Sequence, residues 1–187
     1  MVLPKANQKA LKEWAIAVDA LIAGKTIMLL RKGGIKEKKF KVEYPNIWLY
    51  PTYEHQKPDL LKPGYAKSVV WVESGWHPQT VEIKGCAEIT DVLPIERENQ
   101  IEALLPYQIW NEKMIGERLK WKSQQPLMVL LLRVYRLPQP KVISYSDTYG
   151  GCKSWMDLVE PIPNDGLDSV ISKDKYDQMV QQIKNLV

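Results

Sequence analysis

Apolar residues recur at intervals of three and four near the start of the chain. They are Leu11, Trp14, Ala15, Val18, Leu21 and Ile22. This spacing places them on one face of an amphipathic helix. Gly24 follows at a position where a helix end favours a residue that accepts positive φ. The pattern therefore predicts a leading helix over residues 6–23.

Further apolar runs along the chain predict β-strands, with turn signals such as Gly, Pro and Asn between them. The predicted strands are Thr26–Leu30, Phe40–Glu43, Ile47–Tyr50, Ser68–Glu73, Thr80–Ile83, Cys86–Val92, Leu127–Leu137 and Lys153–Leu158. Pro138 and Pro140 are expected to end the longest of these strands, since proline cannot donate to a sheet. The segment Tyr53–Pro63 is polar and proline-bounded, and is predicted to be a loop.

Two further helical regions are predicted. Apolar positions at helical spacing run through Arg97–Trp121, where Pro106 should split or kink the helix because proline lacks an amide hydrogen. Ser172 is a suitable N-cap for a last helix over about 172–186. Strands with a leading helix, an inserted helical segment and a C-terminal helix favour an α+β fold, a partly closed β-barrel. The sequence has no linker-like stretch or repeat, so residues 1–187 are predicted to form one domain.

The composition is that of a globular protein, with 187 residues of which 45% are hydrophobic and 26% charged. No apolar run approaches the roughly 20 residues of a membrane span, and the first residues lack the apolar stretch of a signal peptide. We therefore expect a cytoplasmic protein with no membrane partner. His55 and His77 come without a Cys-x-x-Cys pattern, which argues against a zinc site, and no cofactor is predicted.

Positive charge is concentrated in one window of the chain. The net charge is only +4, yet Gly24–Lys41 contains seven basic residues and a single acid, Glu37. Such a cluster attracts phosphate, so nucleic acid is the predicted partner, although a solvated hairpin tip would have the same composition. The predicted phosphate contacts are Lys25, Arg31, Lys32, Lys36, Lys38 and Lys39. RNA and DNA are both compatible with this pattern.

A second group of polar and aromatic residues follows the predicted strand Ile47–Tyr50. Binding groups concentrate in loops at the ends of strands. The residues predicted to line a base or nucleotide pocket are Tyr50, Thr52, Tyr53, His55 and Gln56, together with Trp76. The alternative is a local turn network, in which Thr52, Glu54 and His55 satisfy backbone groups.

Two other functions fit parts of the sequence. Asp59, Glu82 and Lys84 form a Pro-Asp…Glu-x-Lys pattern like that of Mg²⁺-dependent restriction nucleases, in which the acids bind the metal. An acid-x-base triplet is expected about three times by chance in this composition, so the pattern has low specificity. The seven Trp and nine Tyr residues also suit an adaptor with a protein partner, because these residues favour interfaces.

Several segments closely resemble a bacterial family of domains of unknown function, DUF1802. The matching segments are Ala10–Ala15, Gly24–Ile35, Leu49–Gln56, Ala87–Val92 and Gly151–Trp155, so the resemblance spans about residues 10–160. Some members of that family occur beside restriction-endonuclease domains. The resemblance therefore implies a nucleic-acid context, with a link to restriction systems as one form of it.

A more distant resemblance is to the ASCH branch of the PUA-like superfamily, carried by Gly24–Ile27, Gly85–Val92 and Leu132–Pro138. It implies a PUA-like barrel that binds nucleic acid, sometimes a modified or flipped base, in a cleft. One enzymatic branch removes acyl groups from modified cytidine with a lysine and a threonine three residues later. Lys25 matches the lysine, but Met28 replaces the threonine, so this activity is not carried over. We therefore favour a binding module over an enzyme, with the Mg²⁺-dependent nuclease and the adaptor as the alternatives.

Overall fold

The computed structural model describes residues 8–32, 42–95, 97–120, 125–151 and 153–187. Its strands are β1 (Lys9–Trp14), β2 (Met28–Arg31), β3 (Asn46–Thr52), β4 (Thr80–Ile95), β5 (Leu127–Ser144), β6 (Trp155–Asp157) and β7 (Asp168–Ser169). Its helices are α1 (Ala15–Ile22), α2 (Pro63–Ala66), α3 (Glu98–Leu104), α4 (Glu112–Lys120) and α5 (Lys173–Lys184), with 3-10 turns at Pro58–Leu60, Leu105–Tyr107 and Asp147–Tyr149. The prediction of an α+β fold is confirmed.

The strands form one sheet in the order β2-β5-β4-β3-β1-β6, with β7 paired to β5. The pair β1–β3 is parallel, and the other pairs are antiparallel. Although β2 and β1 are not neighbours in this order, the Arg31 side chain at the end of β2 donates to the Lys12 carbonyl of β1 at 2.5 Å. Arg31 also lies 3.1 Å from the Glu13 carboxylate. These contacts close a curled sheet into the partly closed barrel that the sequence predicts.

Side chains that alternate along the strands build hydrophobic cores on both faces of the sheet. In β3, Ile47 and Leu49 belong to a helix-side cluster, while Trp48 and Tyr50 belong to an aromatic-side cluster on the other face. The helix-side cluster takes buried residues from α1, α3, α4 and α5, including Leu21, Ile101, Ile115 and Ile183. Both faces of the central strands are therefore buried, as their continuous apolar sequences require.

The long strand β5 continues through two prolines that were expected to end it. Ile83 pairs with Lys141 and Gly85 pairs with Arg136, so the segment 137–140 of β5 lies in a register shift opposite a single residue of β4. Residues in such a bulge need not donate to the ladder, so Pro138 and Pro140 are tolerated there. The predicted strands Thr80–Ile83 and Cys86–Val92 are parts of one strand, β4, which continues through this register shift.

Other predicted elements were wrong for reasons of tertiary pairing. The first part of the predicted helix 6–23 is strand β1, because Ala10 and Leu11 pair with Trp48 and Leu49 of β3. Helical spacing over so few residues is a weaker determinant than an available strand partner. The predicted strand Ser68–Glu73 is an exposed segment outside the sheet, with Trp71 75% exposed.

Several local predictions are confirmed. Pro106 lies in the 3-10 turn between α3 and α4, and the Ser172 hydroxyl accepts a hydrogen bond from the Lys175 amide at the start of α5. Gly24 has a φ of 65° just after α1. Of the predicted strand Phe40–Glu43, Val42 and Glu43 are not in a strand, and the remainder lies outside the described residues.

Candidate functional site

A cleft that we call the aromatic cleft lies where β3 ends. It is lined by Lys12, residues 50–54, residues 76–78, Tyr145, Tyr149 and Gly150. The space between these residues is about 360 Å³ with open solvent included, and the centre of a water-sized sphere can occupy about 40 Å³ of it. The smaller volume has room for roughly three water molecules. A larger ligand would therefore lie mainly at the mouth.

Aromatic rings form the mouth of this cleft. Trp76 is 43% exposed and meets Tyr53 edge to face, with ring centroids 6.0 Å apart. Beside them, His77 stacks on Tyr145 at 3.8 Å with an interplanar angle of 7°. These contacts hold the rings in fixed orientations while leaving Trp76 accessible, which is the arrangement that a stacking ligand requires.

Buried phenols line the inner wall of the cleft. Tyr50 and Tyr149 meet at a centroid distance of 5.4 Å, and Tyr149 in turn meets Tyr145 edge to face. Burial, reinforced by these neighbouring phenols, raises the pKa of Tyr50 well above its usual range. Burial likewise raises the pKa of Tyr53. Both hydroxyls therefore keep their protons at neutral pH and are available as hydrogen-bond donors.

Polar residues tie the walls of the cleft together. The Lys12 ammonium donates to the carbonyls of Tyr149 at 2.6 Å and Gly151 at 3.0 Å. Thr52 donates to the Glu13 carbonyl at 3.1 Å, and the Glu54 carboxylate accepts from the Gly75 amide. Thr52 and Glu54 thus bond to backbone groups of distant segments and not to their own turn, and these bonds fix the segments that carry the rings.

Four residues of the predicted pocket meet in the aromatic cleft: Tyr50, Thr52, Tyr53 and Trp76. Gln56 is instead buried beneath the turn, where its oxygen accepts from the Ile16 amide at 3.0 Å and its nitrogen contacts the Tyr53 carbonyl at 3.4 Å. His55 faces a second cleft, which we call the basic cleft. The space between its walls, open solvent included, is about 1110 Å³. The residues that line the basic cleft are Trp14, His55, Lys57, Leu60, Met114, Glu117, Arg118 and Lys120.

The predicted phosphate contacts occupy different environments. Arg31 is engaged by Glu13 and the Lys12 carbonyl, and Lys32 is buried, donating to the carbonyls at residues 118 and 119 at 3.0 and 3.2 Å. Burial lowers the pKa of Lys32. Both side chains therefore bond to groups of this chain, whereas the sequence predicts contacts to phosphates. Lys25 is exposed but lines neither cleft, and the remaining three, Lys36, Lys38 and Lys39, lie outside the described residues.

The acids of the nuclease hypothesis are held in separate ion pairs. Asp59 pairs with Lys113 of α4, which lowers the pKa of the Asp59 carboxyl. Lys84 of β4 lies 2.8 Å from Asp19 and 3.7 Å from Glu82. Within the described ranges, no group of three His, Cys, Asp or Glu side chains is placed to hold a metal ion. The geometry does not assemble the shared metal site that the nuclease hypothesis needs.

The family model described as Domain of unknown function (DUF1802) matches residues 10–182. The chain belongs to the DUF1802 family. Solved structures similar to it include ASCH from Zymomonas mobilis, with 12% identity, a TM-score of 0.48 and coverage of 92% of this chain and 93% of that chain. A serine-to-alanine mutant of that ASCH protein gives 13% identity, a TM-score of 0.43 and coverage of 96% and 98%. A tyrosine-to-phenylalanine mutant of the same protein gives 12% identity, a TM-score of 0.44 and coverage of 92% of this chain and 96% of that chain. No curated protein matches the sequence.

Sequence reasoning missed several side chains of the site in this DUF1802 domain. Lys12, His77, Tyr145 and Tyr149 all line the aromatic cleft. Of these, only His77 carried a signal, as the neighbour of Trp76 in a predicted turn. The adaptor hypothesis stays a prediction. No α-helix within the described part of the chain has both the length and the apolar character needed to cross a membrane.

Proposed function

We propose that this DUF1802 domain binds single-stranded nucleic acid and holds a base against the rings of the aromatic cleft. The observation that carries the proposal is the mouth of the cleft, where the accessible Trp76 ring stands against Tyr53 and beside the His77–Tyr145 stack. Aromatic platforms of this kind bind bases because every base offers a π-face. A base inside a duplex is already stacked, so the ligand is a single strand or an extruded base.

The polar groups of the cleft support a base as the ligand. The hydroxyls of Tyr50 and Tyr53 remain protonated, and both residues line the cleft. Phenolic hydroxyls can donate to the carbonyl and ring-nitrogen acceptors on base edges. An aromatic cleft with a few polar groups is typical of ligand sites.

Replacement of Trp76 tests this proposal. Fluorescence anisotropy with labelled ten-nucleotide oligo(U) and oligo(dT) at low salt would measure the dissociation constants for RNA and DNA. Loss of one stacking platform costs about 1–3 kcal/mol, so Trp76→Ala should weaken binding by about 5- to 150-fold. Trp71→Ala is the matched control, because Trp71 is 75% exposed and lines neither cleft.

Two results would overturn the proposal. One is a wild-type protein that retains neither oligonucleotide at low salt. The other is an equal loss of affinity in Trp71→Ala and Trp76→Ala, which would assign binding to exposed tryptophan in general and not to the cleft.

A further inference from the structure

The aromatic and basic clefts meet at one peptide bond. Glu54 lines the aromatic cleft and the next residue, His55, lines the basic cleft. Their Cα atoms lie about 3.8 Å apart, the spacing across a trans peptide. His55 has a φ of 61°, the only positive φ at a non-glycine position within the described residues. This left-handed turn sends consecutive side chains into different clefts.

The turn is held in place from below. Gln56 is 7% exposed, and its amide side chain joins the Ile16 amide, in the first turn of α1, to the Tyr53 carbonyl. A non-glycine residue with positive φ persists only where its surroundings fix it. The junction between the clefts is therefore preorganised, which reduces the entropy lost when a ligand crosses it.

The basic cleft carries an excess of positive charge. Its charged lining consists of Lys57, Arg118 and Lys120 against a single acid, Glu117. Lys57 and Lys120 are exposed, and neither forms an ion pair within the described residues. Burial lowers the pKa of Arg118, and the nearby charge of Glu13 opposes that shift, so the exposed Lys57 and Lys120 carry the argument for phosphate.

We infer that a single strand bound in the aromatic cleft continues past His55 into the basic cleft, where Lys57 and Lys120 contact its phosphates. This inference rests on the proposed function and adds the path of the backbone. The two lysines approach the cleft from different elements, Lys57 from the segment after β3 and Lys120 from the end of α4. Two separate elements therefore supply positive charge to the cleft, as a groove that follows a phosphate backbone requires.

The salt dependence of binding tests the inference. Each phosphate contact to a single strand contributes about 0.7 to the slope of log K against log salt. The double variant Lys57→Ala/Lys120→Ala should therefore lower the slope for ten-nucleotide oligo(U) or oligo(dT) by about 1.4. If the variant and the wild type have equal affinity at 1 M salt, this change in slope makes the variant bind about 25-fold more weakly than the wild type at 0.1 M salt.

Two further variants serve as controls. Lys67→Ala/Lys175→Ala removes the same charge from exposed positions that line neither cleft, and should leave the slope within experimental error. Lys57→Arg/Lys120→Arg keeps both charges and should retain the wild-type slope. Equal slopes for the two alanine pairs would overturn the inference. If Trp76→Ala still weakened binding in that case, the proposed function would stand; an absence of binding by the wild type would remove both.

Discussion

The Arg31→Met variant separates a structural role for Arg31 from the phosphate contact that the sequence suggested. In the structure Arg31 joins β2 to β1 through the Lys12 carbonyl and the Glu13 carboxylate. The Arg31 and Glu13 side chains are only 16% and 10% exposed. Methionine retains much of the apolar length of the side chain but cannot neutralise Glu13. The variant therefore removes the ion-pair partner of a nearly buried carboxylate, which keeps the Trp14 amide at 2.7 Å and the more distant charge of Arg118.

Breaking a buried ion pair by removing one partner costs about 3–5 kcal/mol. The slight exposure of this pair places the expected loss at the lower end, at about 3 kcal/mol of unfolding free energy. For a chain of this length the melting temperature should fall by roughly 6–12 °C. The double variant Glu13→Gln/Arg31→Met should lose less than the sum of the two single variants, because it leaves no unpaired charge in place.

Urea unfolding followed by tryptophan fluorescence would measure these free energies. Lys25→Met is the control, since Lys25 is exposed and its replacement should change stability by no more than about 0.5 kcal/mol. The reasoning is refuted if Arg31→Met is as stable as Lys25→Met and instead loses oligonucleotide affinity with a lower salt slope. That outcome would restore Arg31 to the phosphate contacts.

Two further predictions concern the sheet. Gly85→Ala should destabilise the fold by about 3 kcal/mol, because a Cβ at residue 85 would lie 2.2 Å from the Tyr135 carbonyl oxygen. The control Gly64→Ala should cost far less, because no atom lies within 4 Å of a Cβ there, and equal urea midpoints for the two variants would contradict this reasoning. Burial raises the pKa of the Cys86 thiol to about 12. In a Cys152→Ser variant, where Cys86 is the remaining thiol, the reaction with a thiol reagent at pH 8 should be at least about tenfold slower in the native state than in urea. Equal rates would contradict the burial of Cys86. Because the folded thiol keeps its proton longer than the unfolded one, this group should also lower stability as pH rises from 9.0 towards about 12.

Local chemistry predicted much of the fold. Ser172 capped a helix, Pro106 split one, and apolar runs located β2, β3 and β5, since each signal acts within a few residues. The pairing of strands that lie far apart in the sequence could not be predicted from local patterns. The residues of β1 have the spacing of a helix, and only their parallel partner in β3 makes them a strand. The bulge that admits Pro138 and Pro140 likewise depends on the partner strand.

The candidate site was predicted in part for the same reason. Tyr50, Thr52 and Tyr53 are consecutive or nearly so, and their position after a strand marked them as a group. Tyr145 and Tyr149 come from a distant segment, and nothing local to that segment relates it to β3. For the basic residues, charge in a sequence does not reveal pairing. Arg31 and Lys32 both have partners from distant elements, Glu13 of β1 and the end of α4.

The alternation of β3 links the hydrophobic core to the candidate site. Ile47 and Leu49 point towards the helices, and because successive side chains of a strand alternate between its faces, Tyr50 and Thr52 point towards the aromatic cleft. A slip of β3 by one residue would place Trp48 against the helices and remove the Tyr50 ring from the cleft. Selection for a well-packed core at residues 47 and 49 therefore also preserves the aromatic cleft. The site can tolerate changes in its loops more readily than a single insertion in this strand.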